Sequence, residues 1–225
     1  MSAEASRMPT VPAVPGAAPR LRADALHNRN RILEVAREMF AERGLDVPMA
    51  AVARRAGVGI ATLYRHFPTK ESLITEVFAD QLAECVAAVD DGLADPDPWR
   101  GFRTAIEKLC DIQALDRGFT AAFLTAFPDA IDFDRQRDRA LRDFAELARR
   151  AQVTGKLRAD FVLDDLLLLL MAAGGVITGS TEASLAASRR LVAYLLHAFR
   201  AEHADPDRPF PPAVPLRPNH TSPRA

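Results

Sequence analysis

The sequence predicts an all-α protein flanked by a disordered tail at each end, and three observations carry that prediction. Of 16 prolines, four fall in residues 1–19 and seven in residues 204–225, which leaves five for the body. Proline fixes φ and donates no backbone hydrogen bond, so a body this poor in it accommodates long helices. Apolar residues in the body also recur at helical spacing. Ile32, Leu33, Val35, Ala36, Met39 and Phe40 form one stripe at i, i+1, i+3, i+4, i+7 and i+8. Finally, no alternating run of β-branched residues bounded by turn residues occurs.

The elements follow in order. The first helix is expected from about Asp24 to Arg43, with Gly44 suited to a left-handed C-terminal cap. A short helix begins near Pro48, which a first helical turn tolerates, and runs through Ala56 to stop at Gly57. Another short helix covers Ile60 to Phe67 and ends before Pro68. Thr69 can then cap a longer helix from Lys70 to about Asp90, with Glu71 favourably placed in its first turn. Asp95-Pro96-Asp97-Pro98 reads as a turn between regions. Helical patterns resume over 99–114, 118–127, 134–153, 160–178 and 181–203, which makes about nine helices.

Composition excludes several classes. The 225 residues are 48% hydrophobic and 26% charged, enough apolar surface to offset the entropy of ordering a chain. With 29 Lys and Arg against 30 Asp and Glu, a uniformly basic binder is ruled out. The charge is nevertheless unevenly placed: residues 20–75 carry a net +4 and residues 76–225 a net −5, as a polyanion-binding head on an acidic body would. Two cysteines, Cys85 and Cys110, cannot make a disulfide framework or a four-thiolate zinc site. They are expected to be buried inert thiols in a reducing cytoplasm. The most apolar run, Leu166 to Ile177, is shorter than the roughly 20 residues of a membrane span. The early prolines interrupt any signal-peptide core, so a cytoplasmic protein is expected.

The segment with the clearest chemistry is Val47 to Lys70, VPMAAVARRAGVGIATLYRHFPTK. It reads as a helix, a glycine turn and a second helix of two turns. Val52 and Ala53 face inward on the first, Gly57 permits the reversal and Val58 plugs the corner. Leu63 and Phe67, spaced i and i+4, anchor the second helix. That leaves Ile60, Ala61, Thr62, Tyr64, Arg65 and His66 around its rim. Small side chains at the start of such a helix let its backbone approach a groove, and hydroxyls and cations behind them reach phosphates and base edges. This is the helix-turn-helix layout, whose second helix enters the major groove of DNA.

Here the chain resembles a known family. RNRILEVAREMFAERG from Arg29 to Gly44, followed by AAVARRAGVGIATLYRHFPTKESL from Ala50 to Leu73, is similar to the TetR family of bacterial transcriptional regulators. The resemblance spans residues 25–80, roughly a quarter of the chain. It implies a DNA-binding domain at 23–70, with the helix-turn-helix at about 48–67, and a ligand-binding and dimerisation domain at 71–203. Residues 1–22 and 204–225 are left as tails. It further implies that Gly59 stands where many relatives carry a serine opening the recognition helix, and that Ile60 and Ala61 face bases. Thr62, Tyr64 and His66 would contact phosphates and bases, Lys70 would reach a phosphate, and Arg65 would read sequence. Pro48, at the start of the motif, completes the expected contact set.

Relatives use their later helices for a dimer interface and an effector pocket. The helix at 160–178 is apolar all round, and the last helix carries Leu185, Leu191, Val192, Leu195, Leu196 and Phe199 on a broad band. Together they are expected to form a two-fold homodimer interface, and a symmetric dimer predicts a palindromic DNA operator. Pocket candidates are Phe78, Leu82, Cys85, Phe102, Ile106, Cys110, Phe119, Phe123, Phe127, Phe144 and Met171. With 12 phenylalanines, one tryptophan and two tyrosines, that interior suits a hydrophobic or aromatic effector. The function expected is a transcriptional repressor released from its operator by such an effector, with no cofactor, no metal and no membrane partner. The alternative is a helical ligand-binding or adaptor protein without DNA activity. Enzyme chemistry finds no foothold: His197 and His203 are six apart, off the spacing that puts two ligands on one helical face, and no phosphate-cradling glycine loop appears.

Overall fold

The computed structural model describes residues 17–125, 131–205, 207 and 210–213. Its described residues form ten α-helices, and no strand longer than an isolated Leu157–Arg200 bridge. These are α1 (Ala17–Arg43), α2 (Met49–Arg55), α3 (Ile60–His66), α4 (Lys70–Val77), α5 (Ala79–Ala94), α6 (Pro98–Leu115), α7 (Arg117–Phe123), α8 (Ile131–Val153), α9 (Leu163–Gly175) and α10 (Thr181–Ala198).

The all-α expectation holds, with three corrections to its boundaries. Helix α1 begins at Ala17 rather than Asp24, so residues 17–22 belong to a helix and not to the N-terminal tail. Pro19 lies in its first turn, where a missing N–H costs nothing. The single helix expected from Lys70 to Asp90 is two, α4 and α5, which raises the count to ten. The break is at Phe78, whose ring is fully buried, and Arg37 of α1 donates to the carbonyl of Val77 at 2.6 Å. A guanidinium that captures the last carbonyl of α4, together with an anchored ring beside it, bends the chain there. The last helix ends at Ala198, and a short 3-10 turn at Ala201–His203 folds back. That reversal brings the rings of His197 and His203 to 4.1 Å, a pairing that a continuous helix would not make.

Helices α1 to α4 form the N-terminal unit, and α5, α6 and α8 pack together as the centre of the rest, with α9 and α10 laid on α6. The α5–α6 crossing is set by two glycines. A Cβ on Gly101 would overlap the carbonyl oxygen of Gly92, and one on Gly92 would stand 2.8 Å from Leu147 Cδ2. Only glycine lets these backbones approach so closely.

The expected boundary near residue 70 is not a gap in the packing. Buried residues from Ile32 to Phe199 make one hydrophobic cluster. A ladder of rings runs through it: Phe40 to Phe78 at 6.2 Å, Phe78 to Phe119 at 5.9 Å and Phe119 to Phe123 at 5.8 Å. Such tilted contacts are favourable for aromatic pairs. The ladder joins the core beneath the helix-turn-helix to the interior of the C-terminal helices. Phe210, expected within a tail, stacks on the guanidinium of Arg158 at 3.6 Å.

Candidate nucleic-acid interface

The helix-turn-helix is held from behind by α1. Gly44 ends α1 at φ 75°, and Gly57 makes the turn between α2 and α3 at φ 64°, both in the left-handed region that glycine enters without strain. Arg31 of α1 donates to the Gly57 carbonyl at 3.0 Å and pins that turn. Val52, Ala53, Leu63 and Phe67 are buried, and Val58 packs against the same cluster. On the far side of α2, Arg55 pairs with Glu38 at 2.9 Å and with Glu42 at 3.0 Å. The Arg55 guanidinium holds the Glu42 carboxyl below the usual carboxylate range. Arg55 is therefore a clamp between α1 and α2, while its neighbour Arg54 faces solvent.

This framing leaves the outer face of α3 bare. Gly59 caps its N-terminus, and the N–H groups of Thr62 and Leu63 donate to the Gly59 carbonyl at 2.9 and 3.1 Å. Gly59, Ile60, Ala61, Tyr64 and Arg65 are exposed, and Thr62 is half-buried. Tyr64 at 47% exposure is a surface tyrosine, its ring outside the core that Leu63 and Phe67 enter. His66 is different: its ring leans on Phe67 at 6.3 Å, and its Nε2 is enclosed without a partner. Pro48 is exposed as the cap of α2. Lys70 opens α4, whose first turn is closed by reciprocal hydrogen bonds between Thr69 and Ser72 at 3.0 and 3.2 Å. The structure thus gathers Gly59, Ile60, Ala61, Tyr64 and Arg65 on one outward surface, with Thr62 at its edge.

The second candidate site is the interior of the C-terminal helices. Phe78, Leu82, Cys85, Phe102, Ile106, Cys110, Phe119, Phe123 and Phe144 are all buried there. Burial pushes the Cys85 thiol up to about 12 and the Cys110 thiol higher still, so both stay protonated. Of these residues Cys85, Phe123 and Phe144 border a narrow void between α5, α6, α7, α8 and α9, and the others are packed in the same hydrophobic cluster. Met171 is a correction: it is 44% exposed on the outer face of α9, one turn beyond Leu168, because the opposite face of that helix is the one against α6. Phe127 lies outside the described residues. Sequence reasoning missed Gln113, a fully buried side chain on that void, since a lone glutamine in a helix carries no pattern.

A helix-turn-helix braced by α1, with its second helix presenting Tyr64 and Arg65 on an uncovered outer face, defines a DNA-binding transcriptional regulator. Comparison with known proteins agrees. Residues 32–77 match the family described as bacterial regulatory proteins, tetR family. The TetR transcription regulatory protein of Mycobacterium vanbaalenii is 34% identical, over 80% of this chain and 99% of that one, with a TM-score of 0.44. The chain belongs to the TetR family. For the fold, the TetR family regulator PfmR of Thermus thermophilus superposes with a TM-score of 0.58 at 23% identity, over 74% of this chain and 97% of that one. An HTH-type transcriptional regulator of Staphylococcus aureus (strain bovine RF122 / ET3-1) is 44% identical over 54 residues, 24% of this chain. That match spans only 29% of the curated relative. No helix among the described residues is long and apolar enough to cross a membrane.

Proposed function

We propose that the chain acts as a homodimeric repressor that binds a palindromic operator through α3 and is released from it by a small, hydrophobic effector. The observation that carries the reading is the outer surface of α3, where Tyr64 and Arg65 stand clear of a core that Leu63 and Phe67 hold rigidly. Ile60 and Ala61 at its leading end suit apolar contact with a thymine methyl, and Arg65 suits a base edge. Lys70, Thr62 and Tyr64 suit phosphates, with Pro48 and His66 at the margins.

Dimerisation is supported by what α9 and α10 leave uncovered. Leu168, Met171 and Tyr194 are 57%, 44% and 59% exposed in the single chain. Beside them Leu191 and Leu195 line an apolar groove of about 610 Å³. A second copy laid on this face by a two-fold axis would cover it, and a palindromic operator then requires the two α3 helices to stand about one DNA turn apart. An effector that prefers a different spacing shifts the population off DNA by its difference in affinity for the two states.

Selection of random duplex DNA by the purified protein tests this reading. The expected result is a palindromic site bound by a dimer, with an affinity that falls steeply as salt rises. No enriched sequence at low salt would overturn it and leave a helical ligand-binding or adaptor protein.

A further inference from the structure

Gln113, near the end of α6, has no exposed surface, and neither its amide oxygen nor its amide nitrogen finds a hydrogen-bond partner in the protein. Its backbone is not the cause, because α6 is regular there and its cap N–H at Asp116 returns normally to Ile112. The buried guanidinium of Arg158, by contrast, reaches Asp160 and the Ala198 carbonyl. A second orphan stands beside Gln113. Thr120 Oγ1 on α7 is buried and unpartnered, and it meets α9 at Gly174, where a Cβ would lie 2.7 Å from Thr120 Oγ1 and 3.5 Å from the backbone carbonyl oxygen of Gln113. Unsatisfied groups of this kind reduce stability, so each calls for an explanation.

Gln113 lines the void that Cys85 and Val89 of α5, Phe123 of α7, Phe144 of α8 and Leu170 of α9 enclose. No ionisable group other than the Cys85 thiol lines it, and burial keeps that thiol neutral. A charged ligand would lose its hydration here with nothing to replace it. As it stands the void is about 10 Å³, room for about one water, so a larger guest must part its walls. Phe123 is the wall that leads toward the DNA-binding end. It closes α7, and the other end of α7 rests on the backbone of α1 at Phe40 and Ala41.

We propose that Gln113 is the hydrogen-bonding head of a buried site that takes a small, neutral, mainly apolar molecule bearing one hydroxyl or carbonyl. The proposal rests on the effector reading above and gives it a chemical class and a place. The guest's polar group meets the Gln113 amide, which can donate and accept, and its hydrocarbon body separates Phe123 from Phe144. Helix α7 then moves against α1, and the helix-turn-helix is displaced with it.

The test uses the full-length protein and two pairs of probes of matched shape: 4-ethylphenol with ethylbenzene, and cyclohexanone with methylcyclohexane. At millimolar concentration the polar member of each pair is expected to raise Tm by about 2–5 °C, and the hydrocarbon by clearly less. Gln113→Leu should weaken the polar probes about tenfold, the loss of one buried hydrogen bond, while raising the Tm of the free protein. Gln113→Met, closer to glutamine in shape, should act in the same direction, and it carries the comparison if Gln113→Leu does not fold. Equal shifts from polar and apolar probes, as a site for an internal water would give, overturn the proposal. So does a polar preference that survives both substitutions. Binding of the selected duplex separates this from the earlier reading. Probes that bind through Gln113 without altering DNA affinity keep the site and remove its effector role. A protein that binds its duplex but ignores every probe loses the site and remains a regulator.

Discussion

Gly118 rests directly on the backbone of Phe40: a Cβ built on it would stand 3.1 Å from the Phe40 carbonyl carbon and 3.2 Å from the Ala41 nitrogen. The contact joins the start of α7 to the end of α1, and so joins the C-terminal helices to the helix that braces the DNA-binding motif. A polar chain runs alongside it. Arg37 of α1 reaches Gln81 of α5 at 3.4 Å, and Gln81 donates to Asp116 at 3.3 Å. Asp116 in turn caps α7 by accepting from the Phe119 N–H at 3.2 Å. The two halves of the molecule therefore meet through a tight apolar contact and a string of hydrogen bonds.

Gly118→Ala should overpack this junction, because the neighbours at 3.0–3.2 Å are Phe78 and two backbone atoms. The expected cost is about 1–3 kcal/mol of unfolding free energy. Chemical denaturation checks it; an unchanged midpoint would show that α1 and α7 slide apart at no cost.

On the DNA face the substitutions should separate by role. Arg65→Ala is expected to cost about 1–3 kcal/mol of binding and to relax preference at one base position. Lys70→Ala should weaken all sequences alike and lower the salt slope by about one. Thr62→Ala and Tyr64→Phe should weaken binding while leaving Tm within a degree or two, since neither side chain is in the core. Titrations of the selected duplex at two salt concentrations read all four.

Gly59 needs no glycine conformation. Its φ is −66°, and a Cβ there would meet nothing nearer than Thr62 Oγ1 at 3.9 Å. Gly59→Ser should therefore fold normally and gain a few tenths of a kcal/mol from a side-chain cap on α3. Tm and the selected sequence are the readouts. Reduced stability would mean that the backbone here is strained in a way its dihedral angles do not reveal.

Asp116 carries a pH signature. Burial is the largest influence on its carboxyl and pushes it above the usual range, against the hydrogen bonds of the α7 cap and the charge of Arg37. An acid whose folded pKa is raised favours folding while protonated, and that contribution is lost as pH rises through the folded value. Asp116→Asn should thus be the more stable protein at neutral pH, and its advantage should vanish below about pH 4, where the unfolded aspartate also protonates. Thermal melts across that range decide the sign.

The thiols offer a simpler check. Cys85 and Cys110 are buried, and burial holds Cys85 near 12. Neither should react with a thiol reagent at pH 8 until the protein unfolds. Rapid labelling of native protein would mean that the interior opens far more often than its packing implies.

The helix-turn-helix was legible in the residues because its determinants are local. Gly44 and Gly57 mark backbone turns within a few residues, and Leu63 and Phe67 declare one buried face by their spacing. Tyr64, Arg65 and residues 59–61 then fall outward by the same periodicity. The all-α class was legible for the same reason, since proline placement and the 3.6-residue repeat are properties of the chain itself. Long-range contacts were not. The kink after Val77 involves Arg37, 40 residues earlier, and Arg55 of α2 is turned toward α1 because Glu38 and Glu42 lie across from it there. Met171 was expected to line the pocket, yet which side of α9 is covered is settled by where α6 lies. Gln113 shows the limit most plainly: a single glutamine has no periodic signature, and only the assembled helices bury its amide with nothing to bond. Spacing along the chain determines what each helix can bury; the tertiary packing decides which neighbours it meets and which polar groups are left waiting for a partner.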